Sequence, residues 1–123
     1  MAATKSRTEL LAATLTAGAG DTSSAWIDLS AIYGAIISIQ LTNGGTGPTL
    51  PAQVEIEVAN NYNAGVPTIP VELITVIGGV TIAGVYEWHV PIDLATAAVR
   101  INAGSNTGQD VVIAADISEV EGL

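Results

Sequence analysis

The stretch Gln53-Val54-Glu55-Ile56-Glu57-Val58-Ala59 alternates between polar and aliphatic side chains without a break. In a strand, successive side chains point to opposite faces. Val54, Ile56 and Val58 therefore share an inward face, and Gln53, Glu55 and Glu57 an outward one. On a helix Ile56 would fall on the side opposite Val54 and Val58, so the three could not share one buried face. Val and Ile add to the signal, because a branched Cβ fits a pleated sheet better than a helical turn.

The same period of two recurs on both sides of this stretch. Over residues 34–42, Ile37, Ile39 and Leu41 oppose Ser38, Gln40 and Thr42. Over residues 85–92, Tyr86, Trp88 and Val90 oppose Val85, Glu87 and His89. In 98–102, Val99 and Ile101 face in and Arg100 faces out; in 110–120, Val111, Ile113, Ala115 and Ile117 line the core face. Residues 25–29 make a short strand. Residues 71–77 follow Pro67 and Pro70, which suits an edge, since proline cannot donate to a sheet ladder. Gly78-Gly79 is expected to turn this strand into a hairpin with 80–82. Loops are marked by Asn43-Gly44-Gly45-Thr46-Gly47-Pro48, by 60–65 and by 104–109.

No helical period persists. The expected fold is all-β: an antiparallel β-sandwich of about eight strands, jelly-roll or immunoglobulin-like. Residues 1–20 are expected to be an N-terminal arm, in which 8–15 can pair as a strand or, less well, 7–14 can form a short helix. Residues 21–123 are expected to be a single sandwich domain. Lys5 and Arg7 followed by 10–19 loosely imitate a signal peptide, but Glu9, Thr14, Thr16 and Gly18 interrupt the pattern.

Composition narrows the function. The chain has 123 residues, too few for two stable cores. Its net charge is −9, with Lys5, Arg7 and Arg100 the only cations. Three dispersed cations cannot neutralise a nucleic-acid backbone or an anionic membrane, so neither is expected as a partner. No apolar run reaches the roughly 20 residues of a membrane span. Only 12% of residues are charged and no Phe is present, so aliphatic and small side chains must occupy much of the surface. Such a surface is expected to be partly covered by other subunits. The chain has no cysteine, which removes thiolate metal sites and cysteine nucleophiles.

Each candidate for chemistry has a plainer alternative. Glu55 and Glu57 share a strand face at roughly 6.5–7 Å, within the glycosidase range. Such a site also needs an aromatic-lined cleft, so a solvated strand face is the expectation. His89 would need Glu87 or another carboxylate to hold a metal. Asp21, Asp28, Asp93, Asp110 and Asp116 fall one per segment and do not form a calcium loop. Gly44–Gly47 runs into Pro48 and a strand, not into a helix N-terminus with Lys, so it is no phosphate cradle. Gly104-Ser105-Asn106-Thr107-Gly108 lacks nucleophile-elbow spacing. No enzyme activity, catalytic residue, cofactor or metal is expected. Exposed aromatics could stack on a sugar; Trp26, Trp88 and Tyr62 are the candidates, Trp88 on the core side and Tyr62 in an exposed loop.

The order Trp26-Ile27-Asp28-Leu29, Tyr33-Gly34, Leu41-Thr42-Asn43-Gly44, Gly47-Pro48-Thr49, Val85-Tyr86-Glu87-Trp88, Val99-Arg100 and Gly104-Ser105-Asn106-Thr107-Gly108-Gln109 resembles small β-sandwich virion proteins of tailed bacteriophages. The resemblance covers most of residues 24–121 and rests on turns and core anchors. It implies a virion structural protein, in particular a capsid decoration (cement) protein that acts as a homo-oligomer, commonly a trimer, on the major capsid protein at the capsid surface. Neck or tail components, which share this look, are the alternative; a carbohydrate-binding module is a third reading. Lys5, Arg7, Leu10 and Leu11 of the arm, with Tyr62, are the expected interface residues.

Overall fold

The computed structural model describes residues 4–61, 69–93 and 95–121. Its elements are β1 (Thr4–Leu15), β2 (Thr22–Ser23), β3 (Ile27–Asp28), β4 (Gly34–Asn43), β5 (Gln53–Ala59), β6 (Val71–Ile77), β7 (Val85–Ile92), β8 (Ala98–Gly104) and β9 (Val111–Glu121). One sheet has the order β1-β9-β4-β7; the other has the order β2-β8-β5-β6, with β3 also on β8. Every pairing is antiparallel. Because β2 and β3 pair with successive parts of β8, they are two pieces of one interrupted strand. Counted that way the described residues form eight strands. Only β5 and β6 are sequential neighbours within a sheet; every other connection crosses to the opposite sheet. This is the jelly-roll order, which decides between the two sandwich types expected.

Alternation placed the core faces correctly. Ile37, Ile39 and Leu41 on β4 are fully buried, as are Val54 and Ile56 on β5, Val99 and Ile101 on β8, and the odd-numbered residues from Val111 to Ile117 on β9. Tyr86, Trp88 and Val90 of β7 pack against this core while remaining partly exposed.

Two expectations change. Residues 4–15 of the expected arm are strand β1, paired along their whole length with β9 from Thr4↔Glu121 to Leu15↔Val111. Over these residues the arm is the edge of the chain's own sheet. A bulge between Glu9 and Leu11 inserts Leu10 as an extra residue. Leu10 is thereby buried in the core, and Leu11 and Ala13 pack against it. Leu10 is thus not available for contact with another subunit. Likewise, 78–84 form no hairpin strand. They carry the chain from β6 in one sheet to β7 in the other.

Candidate interaction surface

Connection 78–84 is held firmly although its side chains point outward. The buried amide of Asn43 donates to the carbonyls of Gly79 and Thr81 at 2.9 and 3.0 Å. Gly84 accepts from Asn43 N–H at 2.9 Å, and Gly44 accepts from Ala83 N–H at 2.9 Å. A Cβ on Gly79 would lie 2.2 Å from the Tyr86 hydroxyl, so only glycine lets the turn close over that ring. Gly47 adopts a positive φ of 69°, and a Cβ there would meet the Val80 carbonyl at 2.3 Å.

This fixed loop and the adjoining edge strand expose aliphatic side chains. Ile69 is 73% exposed and Ile82 64%; Val71, Leu73, Ile74, Ile77, Val80 and Val85 are also exposed. Residues 69–85 carry one charged side chain, Glu72. An aliphatic surface with a single charge makes this region a candidate contact site. The sequence held a signal for it. In Val71–Ile77 both parities are apolar, a pattern that belongs to a strand covered on both sides. Here it stands at a sheet edge, with only Val76 buried.

The expected arm contacts are divided. Lys5 and Arg7 are exposed, while Leu10 and Leu11 turn into the core. Arg7 forms an ion pair with Asp116 on β9, with the Arg7 side chain 71% exposed. Such a pair contributes under about 1 kcal/mol. Tyr62 lies outside the described residues.

The polar faces are organised across strands rather than as catalytic clusters. On the outer face of the first sheet, Ser38 Oγ lies 2.9 Å from His89 Nδ1, and Gln40 donates to Glu87 at 2.6 Å. Glu87 is thus engaged by Gln40, not by His89. On the second sheet, Glu57 accepts from Asn102 and pairs with Arg100 at 3.3 Å. The Arg100 guanidinium lies 4.8 Å from the Trp26 ring centroid, so one face of that ring is occupied by a cation. Trp26 is therefore poorly placed to stack on a sugar through that face. Among the described residues, no group of three or more His, Asp or Glu could hold a metal ion.

Glu55 titrates above its ordinary value of 4.5. Burial is the main cause, followed by the charge and hydrogen bond of Glu57 and the charges of Glu72 and Asp21. The folded chain holds this proton more tightly than the unfolded chain, so the group's contribution to stability falls as pH rises from about 4.5 through the raised value. Glu55→Gln should therefore raise Tm at neutral pH, and the gain should fade as pH is lowered toward 4.5. Thermal melts at the two pH values test this; an equal or lower Tm for the variant at neutral pH would contradict it.

At the opposite end of the first sheet, Gly34, Ala35, Ile36, Ile92 and Val120 line an apolar groove of about 400 Å³, flanked by Lys5 and Glu119. Burial, with Glu121 nearby, raises the Glu119 carboxyl above its usual range.

No protein-family model matches the chain, and no curated protein matches it in sequence. Solved structures do match its fold. The SPBc2 prophage-derived protein YomS superposes with a TM-score of 0.56 at 13% identity, over 98% of this chain and 96% of that one. A structure of infectious bursal disease virus, Gx strain, gives 0.56 at 12% identity, over 97% of this chain and 32% of that one. The K3 cleaved adhesin domain of Lys-gingipain from Porphyromonas gingivalis w83 gives 0.51 at 12% identity, over 81% and 72%. At these identities the likeness concerns the fold: the chain is an all-β sandwich that a prophage protein, a virus structure and a bacterial adhesin domain share.

Proposed function

We propose that this chain is a structural subunit of a virion, of the capsid decoration type, that acts by binding neighbouring subunits. The observation that carries the reading is the exposed aliphatic surface of β6 and the hydrogen-bonded 78–84 connection, whose one charge is Glu72. Water penalises this surface, and burying it against a neighbour recovers roughly 25 cal/mol per Å² of apolar area. Jelly rolls recur in viral capsid and lectin domains, so the fold admits this role without selecting it. The prophage and virus structures with the same fold support the same direction.

Decoration would work by addition. Each copy buries a modest surface across a seam of the major capsid protein, and a lattice repeats the gain many times. Lys5, exposed on an acidic body, is available for contacts with acidic groups of a partner, whereas Arg7 is engaged by Asp116 of its own sheet.

Quantitative peptide analysis of purified particles from the phage that encodes the chain tests the reading. Copies in proportion to the shell subunit are expected. Copies sufficient only for a single ring would transfer the protein to the neck or tail. Absence from the particle would overturn the virion role.

A further inference from the structure

We propose that β6 is an acid-latched strap: its first half, residues 71–74, is held against β5 in acid and leaves the sheet more readily at neutral pH, while its far end stays fixed. The inference goes beyond the assembly reading and does not depend on it.

The packing of β6 makes its first half easy to open. The strand stands at the sheet edge, so β5 is its ladder partner on one side only. Of its seven residues only Val76 is buried, so the core loses little when 71–74 leave. Segments with few buried apolar contacts are the ones that open locally at low cost. The ladder is also interrupted by the register shift between Ile56 and Glu57, where Leu73 is the extra residue on β6. The far end is pinned. Gly78 N–H donates to the Ala52 carbonyl at 2.9 Å, and the Asn43 amide holds the carbonyls of Gly79 and Thr81. The strand therefore hinges near Gly78 and opens from Val71.

Charge makes the opening depend on pH. Next to the register shift, Glu72 stands directly opposite Glu57, and like charges so placed across a ladder oppose the pairing. Glu55 of β5 and Asp21, just before β2, lie close enough for their charges to act within the same group. The cation facing this group is Arg100 of β8, which pairs with Glu57 at 3.3 Å and lies over Trp26. Asn102 also donates to Glu57, and the Thr75 hydroxyl donates to Glu72. Arg100 thus offsets one carboxylate. Among the described residues no cation pairs with Glu55, Glu72 or Asp21. Protonation relieves the crowding. Glu55 takes its proton above 4.5, through burial first and then the charge of Glu57, its hydrogen bond, and the charges of Glu72 and Asp21. The closed strap holds this proton more tightly than the open one. Closure is therefore favoured as pH falls toward 4.5 and weakens as pH rises through the raised value.

Amide hydrogen exchange of the full chain tests the strap, read residue by residue near pH 4.5 and at neutral pH and corrected for the intrinsic effect of pH on exchange. At neutral pH the 71–74 amides that bond β5 should be less protected than the β5 amides that bond β8. On acidification they should gain about two- to fivefold in protection, the range for relief of one opposing like-charge pair. Glu72→Gln removes the charge opposite Glu57 and keeps an acceptor for Thr75. It should bring most of that gain at neutral pH. Glu87→Gln removes an equal charge from the other sheet, where Gln40 engages it, and should leave β6 unchanged.

Protection of 71–74 that matches β5, or that does not change with pH, overturns the strap. An equal gain in Glu87→Gln assigns the effect to net charge and overturns it as well. The wild-type comparison needs no variant, so the test stands even if a substitution disturbs folding. Failure of the strap leaves the exposed aliphatic surface and the assembly reading intact. Absence of the chain from particles ends the virion reading and leaves the strap in place.

Discussion

Ile56→Ala should lower the unfolding free energy by about 2–5 kcal/mol, the usual cost of truncating a large core aliphatic. Ile56 is fully buried and sits opposite Ile101 on β8 and Ile74 on β6. Truncation removes several methyl and methylene groups and leaves a void whose walls belong to two strands in one sheet and to the core side chains of the other. Those walls are paired backbone on both sides of β5, so they cannot close over the space. The adjacent Glu55 faces outward on the same strand, and its replacement by Gln is expected to act in the opposite direction at neutral pH. Urea unfolding of Ile56→Ala against wild type measures the loss. A loss below about 1 kcal/mol would mean that β5 does not occupy the centre of the core.

Asn106→Asp should cost at least about 3 kcal/mol at neutral pH, although it changes the side chain by one atom type. Asn106 is 1% exposed, and its amide nitrogen donates to the Leu15 carbonyl at 2.8 Å and the Gln109 carbonyl at 2.9 Å. Its backbone carbonyl accepts from Gly18 N–H at 2.9 Å. One buried residue thus ties the end of β1 to the turn between β8 and β9. An aspartate replaces the double donor with a carboxylate facing two carbonyl oxygens. Both hydrogen bonds are lost, and buried acceptors remain unsatisfied at about 1–3 kcal/mol each. A buried carboxylate without a cation titrates above its normal range in the folded state. The folded variant therefore binds a proton more readily than the unfolded one, and its deficit should shrink as pH falls. Chemical denaturation at neutral and mildly acidic pH tests both parts. A deficit independent of pH would mean that the new carboxylate reaches solvent.

The residues at these two positions differ in how openly the sequence declared them. Ile56 was legible at once, because alternation along Gln53–Ala59 depends only on neighbours in the chain. Asn106 read as one polar residue in a polar turn. Its role arises from Leu15, ninety-one positions away. The same distinction separates Leu10 from Leu11. Alternation alone would put one of them outside, but the bulge turns both into the core. The candidate surface was half legible: a charge-poor composition announced that aliphatic area must face solvent, without saying where.

By itself, then, the sequence determined most of the strands, their inward faces and the sandwich class, since the two-residue period is a local property of an extended backbone, though not that 80–82 forms no strand. Only the tertiary structure decided which strands are neighbours. Pairing β1 with β9 joins Thr4 to Glu121, and nothing in either segment names the other. Strand order makes the sandwich a jelly roll, takes residues 4–15 into the first sheet, and leaves β6 at an edge. An apolar strand is buried in the middle of a sheet and exposed at its border. Its position there, which the chain's own periodicity cannot encode, is what leaves the aliphatic side chains of Val71–Ile77 exposed.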